Sequence, residues 1–99
     1  MAKAIKDPEQ NETRHLRKFA DFAGKRVLEI GCGEGRLTWR YAAASLLTVG
    51  LDPKQDALRV ASIDRSSDLT DKVHFVNTHA ETIPFHKETF DIAILAWSL

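Results

Sequence analysis

The chain has almost no cysteine, no excess charge of either sign, no long apolar run and no clustered metal ligands. Cys32 is the one cysteine among 99 residues. No internal disulfide can form, and a reducing compartment is expected. Lys plus Arg and Asp plus Glu balance at 14 each. No global basic field is present to attract nucleic acid or an anionic membrane surface, so neither partner is indicated. No apolar run approaches the roughly 18 residues needed to span a bilayer. Met1-Ala2-Lys3-Ala4-Ile5-Lys6 lacks the apolar core of a signal peptide. A cytoplasmic location is therefore the expectation. His15, His74 and His86 are scattered without metal-ligand spacing, and no metal site is expected. There is also no internal repeat, low-complexity tract or linker.

What remains is one small α/β domain over residues 1–99. Residues 1–7 read as a frayed end. Asp7-Pro8-Glu9 opens a helix whose apolar stripe is Leu16, Phe19, Ala20 and Phe22–Ala23, and Gly24 stops it. Arg14, Arg17 and Lys18 form its wet face. Residues 1–24 thus make an N-terminal helical segment. Strands are expected over residues 26–30, 46–51, 73–76 and 90–96, each nearly all apolar as in a buried parallel sheet. Helices are expected over 35–44, with Leu37, Tyr41 and Ala44 on one face, and over 54–65, with Ala57, Leu58, Ala61 and Ser62 buried. The stretch from Asn77 to Lys87 has room for one helical turn at most.

Strands separated by helices imply crossover connections and a parallel sheet. The expected architecture is a Rossmann-like open sheet with helices on both faces and strand order 3-2-1-4, truncated after the fourth strand. That strand would leave a bare edge, a pairing hazard. The expectation is that residues 1–99 are the first half of a longer α/β domain, and the alternative is that the edge pairs with a partner chain, so that the chain self-associates.

The informative stretch is Val27-Leu28-Glu29-Ile30-Gly31-Cys32-Gly33-Glu34-Gly35-Arg36. A buried strand ends in three alternating glycines and a helix follows. Backbone without Cβ lets a ligand lie against the turn, and a helix N-terminus favours an anionic group. Glu29, at the carboxyl end of the strand, favours a cationic group and repels a pyrophosphate. One small ligand bearing both ammonium and carboxylate is an amino acid. Asp52 closes the second strand, where an acid accepts hydrogen bonds from ribose hydroxyls; it is also placed to cap the helix opened by Pro53. An amino-acid head joined to a ribose describes S-adenosylmethionine.

Glu29-Ile30-Gly31-Cys32-Gly33-Glu34-Gly35 resembles the first motif of class I S-adenosylmethionine-dependent methyltransferases, an acid followed by x-G-x-G-x-G. Gly50-Leu51-Asp52-Pro53 resembles the second, His79-Ala80-Glu81-Thr82-Ile83-Pro84-Phe85 the third, and Phe90 to Leu99 the fourth. The order and spacing match over residues 25–99, the cofactor-binding part. The resemblance implies that Glu29 orients the methionine amino group, directly or through water. It places the backbone of Gly31, Cys32 and Gly33, and the turn at Gly35, against methionine and ribose. It gives Asp52 the ribose hydroxyls and sets Pro53 near the adenine. Ala80 would offer its backbone N–H to the adenine ring with Glu81 beside it, and Ala96 and Trp97 would sit near the sulfonium. Where the family often has Asp, this chain has His79, whose neutral ring accepts one hydrogen bond.

His79 also reads as an exposed loop residue, Trp97 as core, and Cys32 as a small turn residue. The expected function is methyl transfer from S-adenosylmethionine to a small-molecule acceptor, with no catalytic base named and the 99-residue chain alone inactive. The alternatives are a non-catalytic fragment that binds the cofactor weakly, and a nicotinamide-dependent oxidoreductase. The latter calls for a glycine at position 36, which is Arg.

Overall fold

The computed structural model describes residues 3–6, 21–83, 85–86 and 88–96. Five segments form strands: β1 (Lys3–Lys6), β2 (Arg26–Ile30), β3 (Leu47–Asp52), β4 (Val73–Asn77) and β5 (Ile92–Leu95). They make one sheet in the order β1-β5-β2-β3-β4, with every pairing parallel. The inner order β4-β3-β2-β5 is the expected 3-2-1-4 arrangement.

β1 corrects two expectations. Residues 3–6 are not a frayed end, and the edge of β5 is not bare. Lys3 to Lys6 pair with Ile92 to Leu95 along that edge. Four residues with two lysines carry no strand signal of their own. Their strand exists because an apolar edge with free N–H and C=O groups lies beside them. The helix expected ahead of Gly24 lies outside the described residues except for its last turn. There Phe22 is buried, and Gly24 turns the chain at φ 69°.

Alternation along β2 puts Val27 and Glu29 on one face and Leu28 and Ile30 on the other. The first face packs Val27, Ile92 and Ile94 against Phe22, Leu37 and Tyr41, with the Phe22 and Tyr41 rings edge to face at 5.2 Å. The second packs Leu28, Ile30, Val49 and Leu51 with Phe90, and Ile83 and Phe85 of the β4–β5 connection close over it.

The helix expected over residues 35–44 is only α1 (Thr38–Tyr41). Its flanks are tightened by bonds three residues apart: Arg40 N–H to Leu37 O, Ala44 N–H to Tyr41 O and Ser45 N–H to Ala42 O. Gly35 at φ 89° cannot begin a right-handed helix, and the Ser45 hydroxyl takes Ala42 O at 2.8 Å. Ala44, expected on the buried face, is exposed. α2 (Gln55–Asp64) follows Pro53 and buries Leu58 and Ala61, while Ser62 faces solvent. Among the described residues, the β4–β5 connection holds one 3-10 turn, Ala80–Thr82.

An ion pair unannounced by any motif aligns the far end of the sheet. Arg26 donates from Nε and Nη2 to the two carboxylate oxygens of Asp91 at 3.2 and 3.1 Å, and its backbone N–H adds a third bond at 2.9 Å. The Arg26 side chain and backbone hold the Asp91 carboxyl down at a pKa of about 2, from an ordinary 3.8. A carboxyl depressed on folding stabilises the protein above its unfolded pKa, and that contribution disappears as pH falls through the folded value. The contribution is therefore lost between about pH 4 and pH 2. Urea titrations across that window are expected to show a shallower loss of stability for Asp91→Asn than for wild type. Parallel pH profiles would contradict the pairing.

Candidate cofactor-binding cleft

The glycine turn leaves β2 beside the end of β3 and is tied to it residue by residue. Gly31 and Cys32 both donate N–H to Leu51 O, at 2.8 and 3.0 Å, and Gly35 N–H closes the turn on Cys32 O at 3.0 Å. Gly33 N–H reaches Asp52 Oδ2 at 2.9 Å. Gly31, Gly33 and Gly35 have φ of 81°, 57° and 89°, the left-handed region closed to most side chains. A Cβ on Gly33 would meet nothing within 4 Å, so this backbone faces open space; one on Gly35 would strike the Trp39 ring at 3.0 Å.

Asp52 joins three segments. Oδ2 accepts from Gly33 N–H, and Oδ1 accepts from Lys54 N–H at 2.9 Å. Its backbone carbonyl accepts from Thr78 N–H at 3.2 Å and from the Asn77 side-chain amide at 3.0 Å. Asp52 thus holds the chain that enters α2, yet it is not the cap the sequence suggests: Lys54 is the N-cap and no side chain caps the helix. Asp52 also grips the glycine turn across the cleft floor. Below it, Gly50 leaves room for Cys32: a Cβ on Gly50 would lie 2.8 Å from Cys32 Sγ and 3.0 Å from Phe75. Burial raises the Cys32 thiol pKa, helped by the charges of Glu29 and Asp52. Cys32 is therefore a protonated packing residue, as the small-turn reading expected.

A cleft of about 730 Å³ opens at the carboxyl ends of β2, β3 and β4. Its size lies within the roughly 300–1,000 Å³ of small-molecule and cofactor sites. Six of the expected residues line it together: Gly31, Gly33, Asp52, Pro53, His79 and Glu81. Ile30, Glu34, Leu51, Lys54, Ala57 and Thr78 line it as well and were missed by the sequence reading. Their signal was positional: each lies next to a motif residue, or one helical turn into α2. Cys32 and Gly35 stand behind the lining, in the turn itself. Ala96 is half-buried against the first-face cluster, its N–H bonded to Ile30 O at 2.8 Å. Ala80 opens the 3-10 turn, and Trp97 lies outside the described residues.

Glu29 does not line the cleft. Alternation turns it to the α1 face, where it is 0% exposed. Its Oε1 accepts from Thr38 Oγ1 at 2.7 Å and from Tyr41 Oη at 2.6 Å. Burial, then the Glu29 charge, raises the Tyr41 phenol pKa well above its ordinary value. The helix dipole invoked for anion binding is also weaker than expected, because α1 is one turn long and begins three residues after Gly35.

The lining carries the carboxylates of Glu34, Asp52 and Glu81 against one ammonium, Lys54. Such a balance repels a pyrophosphate and suits a ligand with net positive charge. S-adenosylmethionine fits this donor set. Its ammonium and sulfonium outweigh one carboxylate, its ribose offers hydroxyls to an acid such as Asp52, and the bare Gly33 backbone gives it room. Among the described residues no group of side chains is placed to hold a metal ion, and no helix is long and apolar enough to cross a membrane.

Comparison with known proteins agrees with this geometry. A family model described as a methyltransferase domain matches residues 27–99. The chain is 40% identical over 74 residues to the ubiquinone biosynthesis O-methyltransferase of Aromatoleum aromaticum, covering 74% of this chain and 31% of that protein. It is 24% identical over 87 residues to the demethylmenaquinone methyltransferase of Lactococcus lactis, covering 85% and 34%. The crystal structure of the YcgJ protein from Bacillus subtilis superposes with a TM-score of 0.72 at 26% identity, over 85% of this chain and 36% of that one. The chain thus spans about a third of the length of the curated relatives it matches. Across residues 27–99, with its glycine turn and parallel sheet, the chain belongs to the methyltransferase-domain family, in the class I fold whose cofactor is S-adenosylmethionine.

Proposed function

We propose that the cleft binds S-adenosylmethionine and that the whole protein transfers its methyl group to a small-molecule acceptor. The observation that carries this reading is the position of Asp52. A buried carboxylate at the end of β3, clamped to the glycine turn, faces a cleft lined by an excess of acids. Two methyltransferase relatives, one of ubiquinone biosynthesis and one of demethylmenaquinone, support a small-molecule acceptor. The nicotinamide alternative lacks support on both counts, since position 36 is Arg and the cleft repels pyrophosphate.

When bound, S-adenosylmethionine supplies a methyl group already activated by its sulfonium. The residues here bind and orient. Asp52 keeps lone pairs beyond those given to Gly33 and Lys54, and offers them to the ribose hydroxyls. Gly31 and Gly33 present backbone without a side chain. Pro53 and Ala57 supply apolar contact for the adenine, and His79, Ala80 and Glu81 flank its edge. Ala96 and Trp97 belong to this reading at the sulfonium end. Excluding water and aligning the acceptor at near-attack distance remain for residues near that end.

A calorimetric titration tests the reading. S-adenosylhomocysteine is expected to bind saturably at one site, and NAD is expected to give no heat of binding. NAD binding in preference, or binding of neither ligand, would overturn it.

A further inference from the structure

The acid that opens the glycine motif is buried and is not among the residues that line the cleft. Glu29 lies on β2 two residues before Gly31 and is 0% exposed. Its carboxylate takes hydroxyl hydrogens from Thr38 and Tyr41, the first and last residues of α1. The segment between, residues 31–37, is the turn that floors the cleft. Its own bonds run sideways to β3, through Gly31, Cys32 and Gly33. What fixes the far end of the turn is α1, and α1 is only four residues long. A single helical turn is marginal by itself. It is held by burial of Tyr41 and Thr38 and by short, charge-assisted hydrogen bonds to Glu29.

We infer that Glu29 is a positioning residue: its carboxylate staples α1 to β2 across the glycine turn and so sets the shape of the cleft floor, without contacting the cofactor's amino group. This rests on the cofactor reading above and reassigns one residue within it. The distinction matters chemically. A carboxylate that binds an ammonium is needed for its charge. A carboxylate that accepts from two hydroxyls is needed for its oxygen, and an uncharged amide oxygen can serve.

The test compares Glu29→Gln and Glu29→Ala with wild type, using two ligands. S-adenosylhomocysteine carries the amino-acid ammonium; methylthioadenosine keeps adenine, ribose and sulfur but lacks it. A staple predicts that Glu29→Gln binds both ligands within about threefold of wild type, because its amide oxygen still accepts from both hydroxyls. It predicts that Glu29→Ala weakens both ligands by a similar factor, and that Tyr41→Phe with Thr38→Val does the same without touching the cleft. Selective loss of S-adenosylhomocysteine by roughly tenfold or more in Glu29→Gln, with methylthioadenosine unaffected, would show an ammonium contact and overturn the inference.

A second readout needs no ligand. Tyr41 is the one tyrosine in the chain, so phenolate absorbance reports it alone. Glu29→Gln removes the neighbouring charge and is expected to move the Tyr41 ionisation to lower pH, as the raised phenol of the wild type implies. An unchanged tyrosine titration would mean that the carboxylate and phenol do not meet, and would overturn the staple. If wild type bound neither ligand, the cofactor reading would fail, and the tyrosine titration would still decide this one.

Discussion

Asp52→Ala is expected to lower the affinity for S-adenosylhomocysteine about 100-fold or more, on the basis that hydrogen bonds to a charged group are worth roughly 1.5–3 kcal/mol each and two ribose hydroxyls lose theirs. The loss has a second source. Gly33 and Lys54 both donate N–H to this carboxylate at 2.9 Å. Removing it frees the glycine turn from α2 as well as from the ligand. Asp52→Asn is therefore no neutral control. Its single amide oxygen can accept one of the two N–H groups, and its NH₂ meets the other donor head on. We expect Asn to bind closer to Ala than to wild type. Asp52→Glu keeps the charge but lengthens the side chain, so it tests geometry. Calorimetry on the three variants checks the order. Unchanged affinity in Asp52→Ala would remove the ribose assignment.

The second large effect is on stability. Gly50 sits buried in β3, and a Cβ there would lie 2.8 Å from Cys32 Sγ, 3.0 Å from Phe75 and 3.1 Å from Cys32 Cβ. Neither neighbour can retreat freely. Cys32 is tied by its N–H to Leu51 O, and Phe75 carries the Trp39 ring against its edge, centroids 5.8 Å apart. Gly50→Ala is expected to cost about 1–3 kcal/mol by overpacking, which for a domain of this size lowers Tm by roughly 4–8 °C per kcal/mol. Cys32→Ala in the same chain removes the closest atom, Sγ, and is expected to recover part of the loss. Thermal unfolding of both single variants and the double variant gives the coupling directly. Additive effects would show that Cys32 and Gly50 are not packed as described.

Much of this was legible in the sequence, for reasons that can be traced to particular residues. The inner strands β2, β3, β4 and β5 were readable because each is a short apolar run bounded by turn residues. Asp52 and the glycines were readable because their spacing has a geometric meaning. β1 was not, because its strand character comes from a distant edge and not from Lys3-Ala4-Ile5-Lys6 itself. The length of α1 was missed because a run of the best helix former, Ala42-Ala43-Ala44, is overridden by tertiary bonds: Gly24 N–H takes Ala44 O at 2.9 Å, and Lys72 Nζ takes Ala43 O at 2.9 Å. The environment of Glu29 was missed for a simpler reason. Its place beside the glycines suggested the cleft, whereas the two-residue period of β2 assigns it to the α1 face with Val27.

In the proposed function the glycine turn and Asp52 form one cofactor-binding unit. Titrating S-adenosylhomocysteine into the isotopically labelled chain and following backbone amides by NMR tests it most directly. The expected result is saturable shifts at Gly33 and Lys54, the two N–H donors to the Asp52 carboxylate, and at Thr78 and His79 across the cleft, with the Arg26 and Asp91 amides at the opposite end of the sheet unmoved. Shifts confined to other surfaces, or none at saturating ligand, would contradict it.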